Sequence, residues 1–556
     1  MTCCALQLAV GLGLGLSRNS GNSGRHGGST DFPGWQISSN VTVPGQDDSR
    51  SGMLESGVYL TTYSDAGSKF AWTAESINFN SANSGSVPNA DLILHPSSIG
   101  VTMEGFGAAM TDASASLLLG LKAQDPEQYR RTMRFLFNRR NGLSILRVPI
   151  GTTDFSPESL QYTFADHRGS VAESAADPTF SALFSNFNTS GAGVYLFPVL
   201  RDALKINPDL KLALLPWSPP AYLKDNDSVN AGSLISGAAD ALARYLTMSI
   251  QAFAQELNIS PWAVSVQNEP TNPTTYPSMA MNNDVEARVL LTLRANLQST
   301  PGLSGVKLMG HEDNFIGYES AALLVRANAS NVDGVAFHCY NGSFALQSNF
   351  TSSVGTAGVG KLRMMSECSG QDTGNDAQVD VPSYRWWMEN IFLPLTYADF
   401  AAFTVWNIAT DPDYGPHLQR AVCQNCVGVL TIDNHAPGAN GTAASTIGAN
   451  LQSILLSHFA VATTNLTRLG GGPSSRIGVD VKQNQPYSQC IVPRGFAAPW
   501  QRQQQGSNST QSSGQTRYGL VVQNTCGQDR QLNVALGSGV TSLTFPVGVS
   551  TYVWTT

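Results

Sequence analysis

The stretch Val264–Pro270, VSVQNEP, begins as a strand suited to a buried core and ends on an amide, a carboxylate and a proline. Asn268 and Glu269 are costly to bury without partners. One interpretation is a simple turn, because Pro270 cannot continue a strand. The other is a strand that ends at a polar site. The two interpretations differ in whether the rest of the chain repeats this arrangement.

Short apolar runs of this kind alternate with helix-like stretches from Gly100 onward. The helical candidates, such as ALARYLTMSIQAFAQEL, have apolar residues near positions i, i+3 and i+4. Eight such repeats predict an α/β fold of the (β/α)8 TIM barrel type, whereas an open doubly wound sheet needs fewer. The eight predicted strands are Thr102–Gly107, Ser144–Ile150, Lys211–Pro216, Ala263–Gln267, Val306–Gly310, Gly334–His338, Leu362–Ser366 and Ala401–Val405.

The 556-residue chain extends beyond this barrel on both sides. Strand-like segments separated by polar turns occur near residues 57–96 and return after residue 428, where the helical patterns fade. We therefore predict that the two ends of the chain form one attached β-sandwich domain. The predicted segments are a signal peptide at 1–17, a flexible segment at 18–53, sandwich strands at 54–98, the barrel at 99–427 and the remaining sandwich strands at 428–556.

The charge distribution excludes two classes of partner. Charged residues make up 13% of the chain, the net charge is −8, and no basic run occurs. Nucleic acids and anionic membranes bind clustered Lys and Arg. No stretch after the N-terminus reaches the roughly 18 uninterrupted apolar residues that span a bilayer. The sequence therefore predicts neither a nucleic-acid partner nor a transmembrane segment.

Several features predict a secreted, extracellular protein. The N-terminal MTCCALQLAVGLGLGLS has an apolar stretch of signal-peptide length, although no Lys or Arg precedes it. Asn-X-Ser/Thr sequons predict N-linked glycans. The ten sequons lie at Asn40, Asn188, Asn226, Asn258, Asn328, Asn341, Asn349, Asn440, Asn465 and Asn508.

The eight cysteines predict a few disulfides, and the first two would leave with the signal peptide. Cys423 and Cys426 have thioredoxin or zinc spacing, but no second ligand pair accompanies them. We expect a local disulfide or two free thiols there. Cys339 and Cys368 follow neighbouring predicted strands. We expect them to be small buried apolar residues or a disulfide, and not nucleophiles.

Polar and aromatic residues follow the predicted strands. The C-terminal ends of the strands of a (β/α)8 barrel meet at one rim, where active sites lie. Asn268 and Glu269 end the fourth strand, and Glu367 ends the seventh, almost across the barrel. The other candidates at strand ends are Asp112, Arg147, Trp217, His311–Asp313, His338–Tyr340, Trp406 and Asn407.

Two carboxylates that face each other across a barrel mouth are the groups that glycoside hydrolysis needs. One acid protonates the leaving oxygen, and the other carboxylate attacks the anomeric carbon or activates water. Glu269 and Glu367 have this placement. Trp217, Tyr340 and Trp406 can stack on or flank the apolar face of a pyranose. The polar end of VSVQNEP is therefore interpreted as part of a catalytic pocket.

Seven motifs resemble those of glycoside hydrolase family 30, and they occur in the same order. They are EGFGAAMTDASA, LRVPIGTTDFS, LLPWSPPAYLK, VQNEP, AFHCY, MSECSG and VWNIATDPDYGP. The resemblance is strong over about residues 100–432, and the flanking strands resemble that family's side sandwich. It implies that Glu269 is the general acid/base and Glu367 the nucleophile. It also implies sugar contacts from Asp112, Trp217 and Asn268, neighbours of the nucleophile in Arg147 and Tyr340, and pocket walls from Trp406 and Asn407.

The same residues have other interpretations. Asp112 could cap the helix after the first strand, but the resemblance favours a sugar contact. His311–Asp313 and His338 are metal-ligand types without the spacing of a zinc or calcium loop, so we expect substrate-rim hydrogen bonds and no metal. Gly105–Gly107 and the N-terminal GLGLGL lack a full Gly-X-Gly-X-X-Gly after a strand. No nucleotide or other cofactor is therefore expected.

The resemblance implies a secreted retaining β-glycosidase. The segment GFGAAMTDASA is more similar to the branch with glucosylceramidases and microbial β-1,6-glucanases than to the glucuronoxylan-cleaving branch. We therefore expect an endo-β-1,6-glucanase, of fungal type, that acts on a β-linked glucan. An exo-acting β-glucosidase, a glucosylceramidase and a xylanase are alternatives within the family. A carbohydrate-binding protein without catalysis is an alternative of another class, against which the presence of both glutamates speaks.

Overall fold

The protein is described by a computed structural model. The described residues are 35–36, 56–62, 71–81, 90–140, 142–167, 169, 180–371, 385–418, 423–437, 443–467, 471–501 and 514–556. The predicted signal peptide at 1–17 lies outside them, as does the predicted flexible segment at 18–53 apart from residues 35–36. The sequons at Asn40, Asn440 and Asn508 also lie outside.

Eight parallel strands close into a barrel, which confirms the predicted fold class. The last strand pairs with the first, with Ala402 opposite Gly105. Because helices cover the outer side of the barrel, its strands are buried on both faces. Their sequences are therefore short, nearly continuous apolar runs. The strands are β1 Gly105–Ala109, β2 Ile145–Pro149, β3 Lys211–Leu215, β4 Ala263–Ser265, β5 Lys307–Asn314, β6 Gly334–His338, β7 Leu362–Glu367 and β8 Ala402–Val405.

Helices connect the barrel strands, and their starts are set by local sequence. Thr111 caps the helix after β1 by accepting the amide of Ser114, and Pro126 opens the next helix at a position where its missing N–H costs nothing. The barrel helices are Asp112–Gln124, Pro126–Phe137, Ser190–Val194, Leu196–Ile206, Ala239–Leu257, Asn283–Ser299, Tyr318–Ala327, Leu346–Val354 and Leu393–Tyr397, with a π-helical turn at Met388–Phe392.

A ten-stranded sheet lies beside the barrel and takes strands from both ends of the chain, as predicted. It folds over on itself, because residues from distant strands, among them Val58, Leu520 and Val534, share one buried core. The rings of Phe79 and Trp554, for example, lie 5.3 Å apart. In spatial order the strands are Ala71–Ala74, Gly57–Thr62, Gly548–Thr555, Gly514–Asn524, Ile491–Gln501, Ser475–Val481, Leu92–Thr102, Arg530–Leu536, Gly539–Phe545 and Asn80–Ser81. The exact boundaries predicted between the signal peptide, the flexible segment, the barrel and the two parts of the sandwich remain predictions.

Two elements after residue 428 differ from the expected run of sheet strands. Leu430–Pro437 and Ala443–Ala449 form a hairpin that pairs with Ala409–Thr410. The helix Leu451–Ala462 follows it, so the expectation that helices fade here is wrong at this point. All twelve of its residues are buried. A helix covered on every side has no polar face, and its sequence therefore lacks the periodicity that reveals a surface helix.

The buried helix Leu451–Ala462 joins the barrel to the side sheet. It contacts β1 on one side and the strands Gly514–Asn524 and Gly548–Thr555 on the other. The ring of Phe459 lies 5.3 Å from Phe106 in β1 and 5.0 Å from Phe392. Barrel and sheet therefore share a continuous apolar core at this helix.

His458 of this helix predicts a measurable pH dependence of stability. Its Nε2 lies 2.8 Å from Thr61 Oγ1 and its Nδ1 2.9 Å from Thr551 Oγ1, and burial lowers the pKa of His458 to about 3. In the unfolded chain an imidazole binds a proton near pH 6.5, so the unfolded state binds more protons between these values. The contribution of His458 to the free energy of unfolding is therefore complete above pH 6.5. Below that pH it falls by up to about 1.4 kcal/mol per pH unit, down to pH 3.

Urea unfolding of wild type and His458→Gln between pH 4 and 7 measures this effect. The glutamine variant should be less stable than wild type at pH 7. The difference between their free energies of unfolding should decrease as the pH falls. An equal stability difference at all pH values would contradict a neutral buried His458.

Three disulfides occur in the described part of the chain. They join Cys339 to Cys368, Cys423 to Cys426, and Cys490 to Cys526. The first two pairs settle the alternatives that the sequence left open.

Seven predicted sequons lie among the described residues. Asn328 is buried, with 8% of its surface exposed, and its Nδ2 donates to Leu324 O. A glycan on this atom would break the hydrogen bond and disturb the surrounding packing, so Asn328 is less suited to carry one than the exposed sequons are. The exposed sequons are Asn188, Asn226, Asn258, Asn341, Asn349 and Asn465. In this part of the chain, no helix has both the length and the apolar character that a membrane crossing requires.

Candidate active site

The segment after β4 turns sharply and is fixed by its neighbours. The amide of Asn268 donates to Pro216 O after β3, and the amide of Glu269 donates to Glu312 O in β5, both at 3.0 Å. Glu269 has a φ of 43°, in the left-handed region that a residue with a side chain rarely adopts. Such a conformation persists where the surroundings enforce it. The two carbonyl contacts provide that enforcement and place the Glu269 side chain at the rim.

Glu269 and Glu367 lie close together at the C-terminal rim of the barrel. An oxygen of Glu269, an oxygen of Glu367 and a nitrogen of His338 lie within 4.8 Å of one another. Each glutamate is only 8% exposed. Carboxyl groups of retaining glycosidases are about 5–5.5 Å apart, and those of inverting enzymes about 6.5–9.5 Å. The approach of one oxygen of each carboxyl group to within 4.8 Å favours the retaining spacing over the inverting one.

The carboxylate of Glu367 is held through both of its oxygens. Arg147 Nη1 donates to Oε2 at 2.5 Å, and Tyr340 OH donates to Oε1 at 2.9 Å. Arg147 is 1% exposed, so this ion pair is shielded from water. The two donors fix the carboxylate plane, and the predicted proximity of Arg147 and Tyr340 to Glu367 is observed.

The carboxylate of Glu269 has different partners. His338 Nδ1 lies 3.0 Å from Oε1, and Asn272 Nδ2 donates to Oε2 at 2.8 Å. His338 is therefore a direct neighbour of Glu269. Asn272 was not predicted from the sequence, and it lies two residues beyond Pro270, the end of the VSVQNEP stretch. Its amide N–H also donates to Glu269 O at 2.9 Å, which closes a turn around the glutamate.

Glu312 is a buried carboxylate that contacts a cationic partner of each of the two glutamates, and it forms the hub of this cluster. Its oxygens accept from Ser265 Oγ at 2.6 Å and Ser366 Oγ at 2.7 Å, and they lie near His338 Nε2 and Arg147 Nη2 at 3.3 and 3.4 Å. Burial alone would raise the pKa of Glu312, but Arg147 and His338 outweigh it and lower this pKa to about 2. Glu312 is therefore a fixed anion that orients both cations.

The protonation of His338 follows from the same charges. Burial disfavours the imidazolium, but Glu367, Glu269 and Glu312 outweigh burial and raise the pKa of His338 to about 10. A doubly protonated ring donates through both nitrogens, one toward Glu269 and the other toward Glu312. His338 therefore connects the hub to the acid/base candidate.

A bulge in β5 brings Glu312 into this position. The register of β5 against β6 shifts between Gly310 and Asp313, and His311 and Glu312 have φ values of 78° and 41°. The amide of His311 donates to Glu286 Oε1 at 2.8 Å. A regular strand could not aim Glu312 in this way, and a bulge is not visible in an apolar pattern.

Two tryptophans form an aromatic wall of the site. The rings of Trp217 and Trp406 lie 5.3 Å apart, and the guanidinium of Arg147 lies 4.8 Å from the Trp217 ring. Both tryptophans are nearly buried, whereas Tyr340 is 43% exposed at the mouth. Asn268 Oδ1 accepts from Arg147 Nη2 at 2.6 Å, so the amide predicted from VSVQNEP belongs to the same cluster.

Asp154 is a buried carboxyl group near both glutamates that was not predicted from the sequence. Burial, followed by the charges of Glu367 and Glu269, raises the pKa of Asp154 to about 8. The residue follows β2 in the segment TTDFS. Asp154 lies five residues beyond Pro149, the end of β2, so the rule that polar residues follow the barrel strands could have predicted it.

Two predicted residues are buried without a contact to the glutamates in the described part of the chain. Asp112 is wholly buried in the first turn of its helix, accepts from Tyr162 OH at 3.1 Å through Oδ2, and has no partner at Oδ1. Thr111, not Asp112, is the cap of that helix. Asn407, which follows Trp406 through a cis peptide bond, has no partner at either amide atom. Their roles in sugar binding stay predictions.

Glu269, His338 and Glu367 also have the spacing of metal ligands. However, His338 faces a carboxylate at each nitrogen, and Arg147 already lies 2.5 Å from Glu367. The site supplies its own cations at the positions that a metal would neutralise. The arrangement suits proton transfer and nucleophilic attack at a carbon between the two glutamates.

Comparisons with known proteins agree with this geometry. The sequence profile of the Glycosyl hydrolase family 30 TIM-barrel domain matches residues 103–434. An endo-1,6-β-D-glucanase of Trichoderma harzianum is 27% identical over 348 residues, which cover 59% of this chain and 65% of the relative. The lysosomal acid glucosylceramidase of Mus musculus is 28% identical over 352 residues, covering 59% and 64%. The chain thus spans slightly less than two thirds of the length of these relatives.

Solved structures share the fold. One of an endo-β-1,6-glucanase has a TM-score of 0.70 and 24% identity, and covers 90% of this chain and 99% of its own. SrfJ from Salmonella typhimurium has a TM-score of 0.69 and 20% identity, with the same coverage. At these identities the likeness shows the fold alone.

Proposed function

Because the chain belongs to glycosyl hydrolase family 30, we propose that it is a retaining β-glycoside hydrolase that cleaves β-1,6-linked glucan at internal bonds. The observation that carries the proposal is the approach of Glu269 and Glu367 to within 4.8 Å, at opposite sides of a rim lined by aromatic residues. Such an approach favours retention, because inversion needs carboxyl groups about 6.5–9.5 Å apart to accommodate a water between carboxylate and sugar.

In the first step, Glu367 attacks the anomeric carbon while the bond from that carbon to the leaving oxygen breaks. Glu269 gives its proton to the leaving oxygen, and a covalent glycosyl-enzyme forms. Arg147 Nη1 and Tyr340 OH hold the attacking carboxylate in place. In the second step, Glu269 takes a proton from water as the water attacks the same carbon, and Glu367 leaves as a carboxylate.

Sugar recognition is assigned to the polar and aromatic groups around the glutamates. Asp154, with a pKa of about 8, is protonated at acidic and neutral pH, and its carboxyl can both donate to and accept from a sugar hydroxyl. Trp217 and Trp406 provide apolar surface for the ring faces. The unpartnered buried amide of Asn407 supports its assignment as a further sugar contact.

The choice of β-1,6-glucan is supported by the fungal relatives. Besides the Trichoderma protein, an endo-1,6-β-D-glucanase of Neurospora crassa is 26% identical over 345 residues. The second candidate substrate is a glucosylceramide, which the similarity to the mouse glucosylceramidase favours. Both substrates carry a β-linked glucosyl group, so the same glutamates serve either one.

A secreted location is part of the proposal. Three disulfides are typical of proteins that fold in an oxidising compartment. Six exposed sequons among the described residues would accept N-linked glycans there.

Product analysis tests the proposed substrate. We expect the protein to release β-1,6-linked oligosaccharides of several lengths from β-1,6-glucan, with little release from β-1,3-glucan, xylan or a glucosylceramide. Glucose as the sole early product would indicate exo action. Rapid hydrolysis of the glucosylceramide, with none of β-1,6-glucan, would favour the second candidate.

A further inference from the structure

We propose that the Cys339–Cys368 disulfide is a positioning element of the reacting centre, which holds the hydroxyl of Tyr340 against the carboxylate of Glu367. The inference rests on the proposed role of Glu367 as the nucleophile. It adds a covalent cross-link to the groups that orient this residue.

The disulfide joins the two residues that flank this contact. Cys339 immediately precedes Tyr340, and Cys368 immediately follows Glu367. Tyr340 OH donates to Glu367 Oε1 at 2.9 Å, and the amide of Cys339 donates to Glu367 O at 3.2 Å. The cross-link, the backbone and the Tyr340 side chain therefore close a small ring around the carboxylate.

The strand pairing is irregular where the cross-link lies. The register of β6 against β7 shifts between Phe337 and His338, so that His338 stands opposite Glu367. β6 ends at His338, and Tyr340 belongs to the loop beyond it. Tyr340 is 43% exposed, so packing alone does not fix the orientation of its side chain. The disulfide restricts the loop at the residue before Tyr340.

The two ends of the cross-link are anchored unequally. Cys368 is wholly buried, and its carbonyl accepts from the amide of Trp406 at 3.0 Å. Cys339 is only partly buried. The amide of Tyr340 donates to Asn314 Oδ1 at 2.9 Å, which ties the loop to β5 by a hydrogen bond. Without the disulfide, the loop with Tyr340 would be held by hydrogen bonds alone, among them those from the amides of Tyr340 and Asn341 to Asn314 Oδ1, while Glu367 stays in β7.

The test compares two disulfide deletions. Cys339→Ala/Cys368→Ala removes the proposed positioning element. Cys490→Ala/Cys526→Ala removes a disulfide in the side sheet with a similar sequence separation, 36 residues against 29. We expect both variants to unfold at a lower temperature, because each loses a cross-link. At 25 °C only the first should lose turnover, by about tenfold in kcat with little change in KM, since a misplaced reacting group lowers the rate.

Covalent labelling gives a direct readout. An activated 2-deoxy-2-fluoro-β-glucoside traps the glycosyl-enzyme, and mass spectrometry locates the labelled residue. We expect wild type and the side-sheet variant to be labelled on Glu367 at equal rates, and the Cys339→Ala/Cys368→Ala variant about tenfold more slowly. Failure to label Glu367 in wild type would refute the proposed function. Equal labelling rates with and without the disulfide would refute only the positioning role.

A double-mutant cycle with Tyr340→Phe separates positioning from general loosening. If the disulfide acts through the Tyr340 hydroxyl, its removal should slow labelling by less than twofold in the Tyr340→Phe background. A full tenfold loss in that background would overturn the proposal. If the double alanine variant does not fold, the labelling rate of Glu367 is measured in two other samples, the Cys339→Ser variant and wild type treated with a phosphine reductant. Non-reducing peptide mapping then shows whether the Cys339–Cys368 disulfide is broken in each sample.

Discussion

The Glu367→Gln variant is expected to hydrolyse an activated aryl β-glucoside at least roughly 10⁴-fold more slowly than wild type, as losses of a nucleophile in other covalent mechanisms indicate. The amide has almost the shape of the carboxylate but cannot form the glycosyl-enzyme. Its oxygen can accept only one of the two donors that now meet Glu367, since the other position becomes an NH2 group. We therefore expect a modest loss of stability beside the loss of activity.

Steady-state kinetics and thermal unfolding together check this prediction. Glu319→Gln is a matched control, because it makes the same chemical change at an exposed position in the helix Tyr318–Ala327. The control should retain wild-type activity. Near-normal turnover in a folded Glu367→Gln protein would refute the assignment of the nucleophile.

The Glu269→Ala variant should separate the two duties of the acid/base. An aryl glycoside with a good leaving group needs little protonation, so formation of the glycosyl-enzyme should survive. Cleavage of the polymer should fall by about 10²–10⁴-fold, the usual contribution of general acid catalysis. Breakdown of the intermediate would still lack its base, and the intermediate should accumulate.

Azide provides the readout for this variant. A small anion can occupy the space of the missing carboxylate and attack without a base, so azide should speed turnover and appear in a β-glycosyl azide. Equal losses on activated and unactivated substrates, without rescue, would mean that the acid/base is another residue. Glu312 is a poor substitute, because Ser265 and Ser366 already occupy its oxygens.

The barrel was predictable from sequence because its signal is local. Each strand is a short apolar run, each helix repeats every three to four residues, and the polar ends of the strands stand beside the runs that position them. VSVQNEP alone was ambiguous, and seven further runs removed the ambiguity. The same rule placed Glu269, Glu367, Arg147 and Tyr340 at one rim.

The features that were not predicted from the sequence depend mostly on contacts between residues that are distant in the chain. Glu312 was predicted as a rim residue, but its contacts with Arg147 and His338 depend on the β5 bulge, which leaves no periodic signal. The pairing of Cys339 with Cys368 requires the distance between strand ends. The helix Leu451–Ala462 is buried all round, so no polar face marked it. Asp154 follows the end of β2, so the rule that active-site residues follow the barrel strands could have predicted it.

The side sheet also bears on how the chain is made. The strand Gly548–Thr555 lies between Gly57–Thr62 and Gly514–Asn524 and is hydrogen-bonded along both edges. On the ribosome, Gly57–Thr62 emerges long before Gly548–Thr555, because all eight barrel strands lie between them in the chain. Contacts between such distant segments form slowly, and an unpaired edge invites association with other chains meanwhile. The pairing of these two strands can therefore form only after the whole barrel, which lies between them in the chain, has been synthesised.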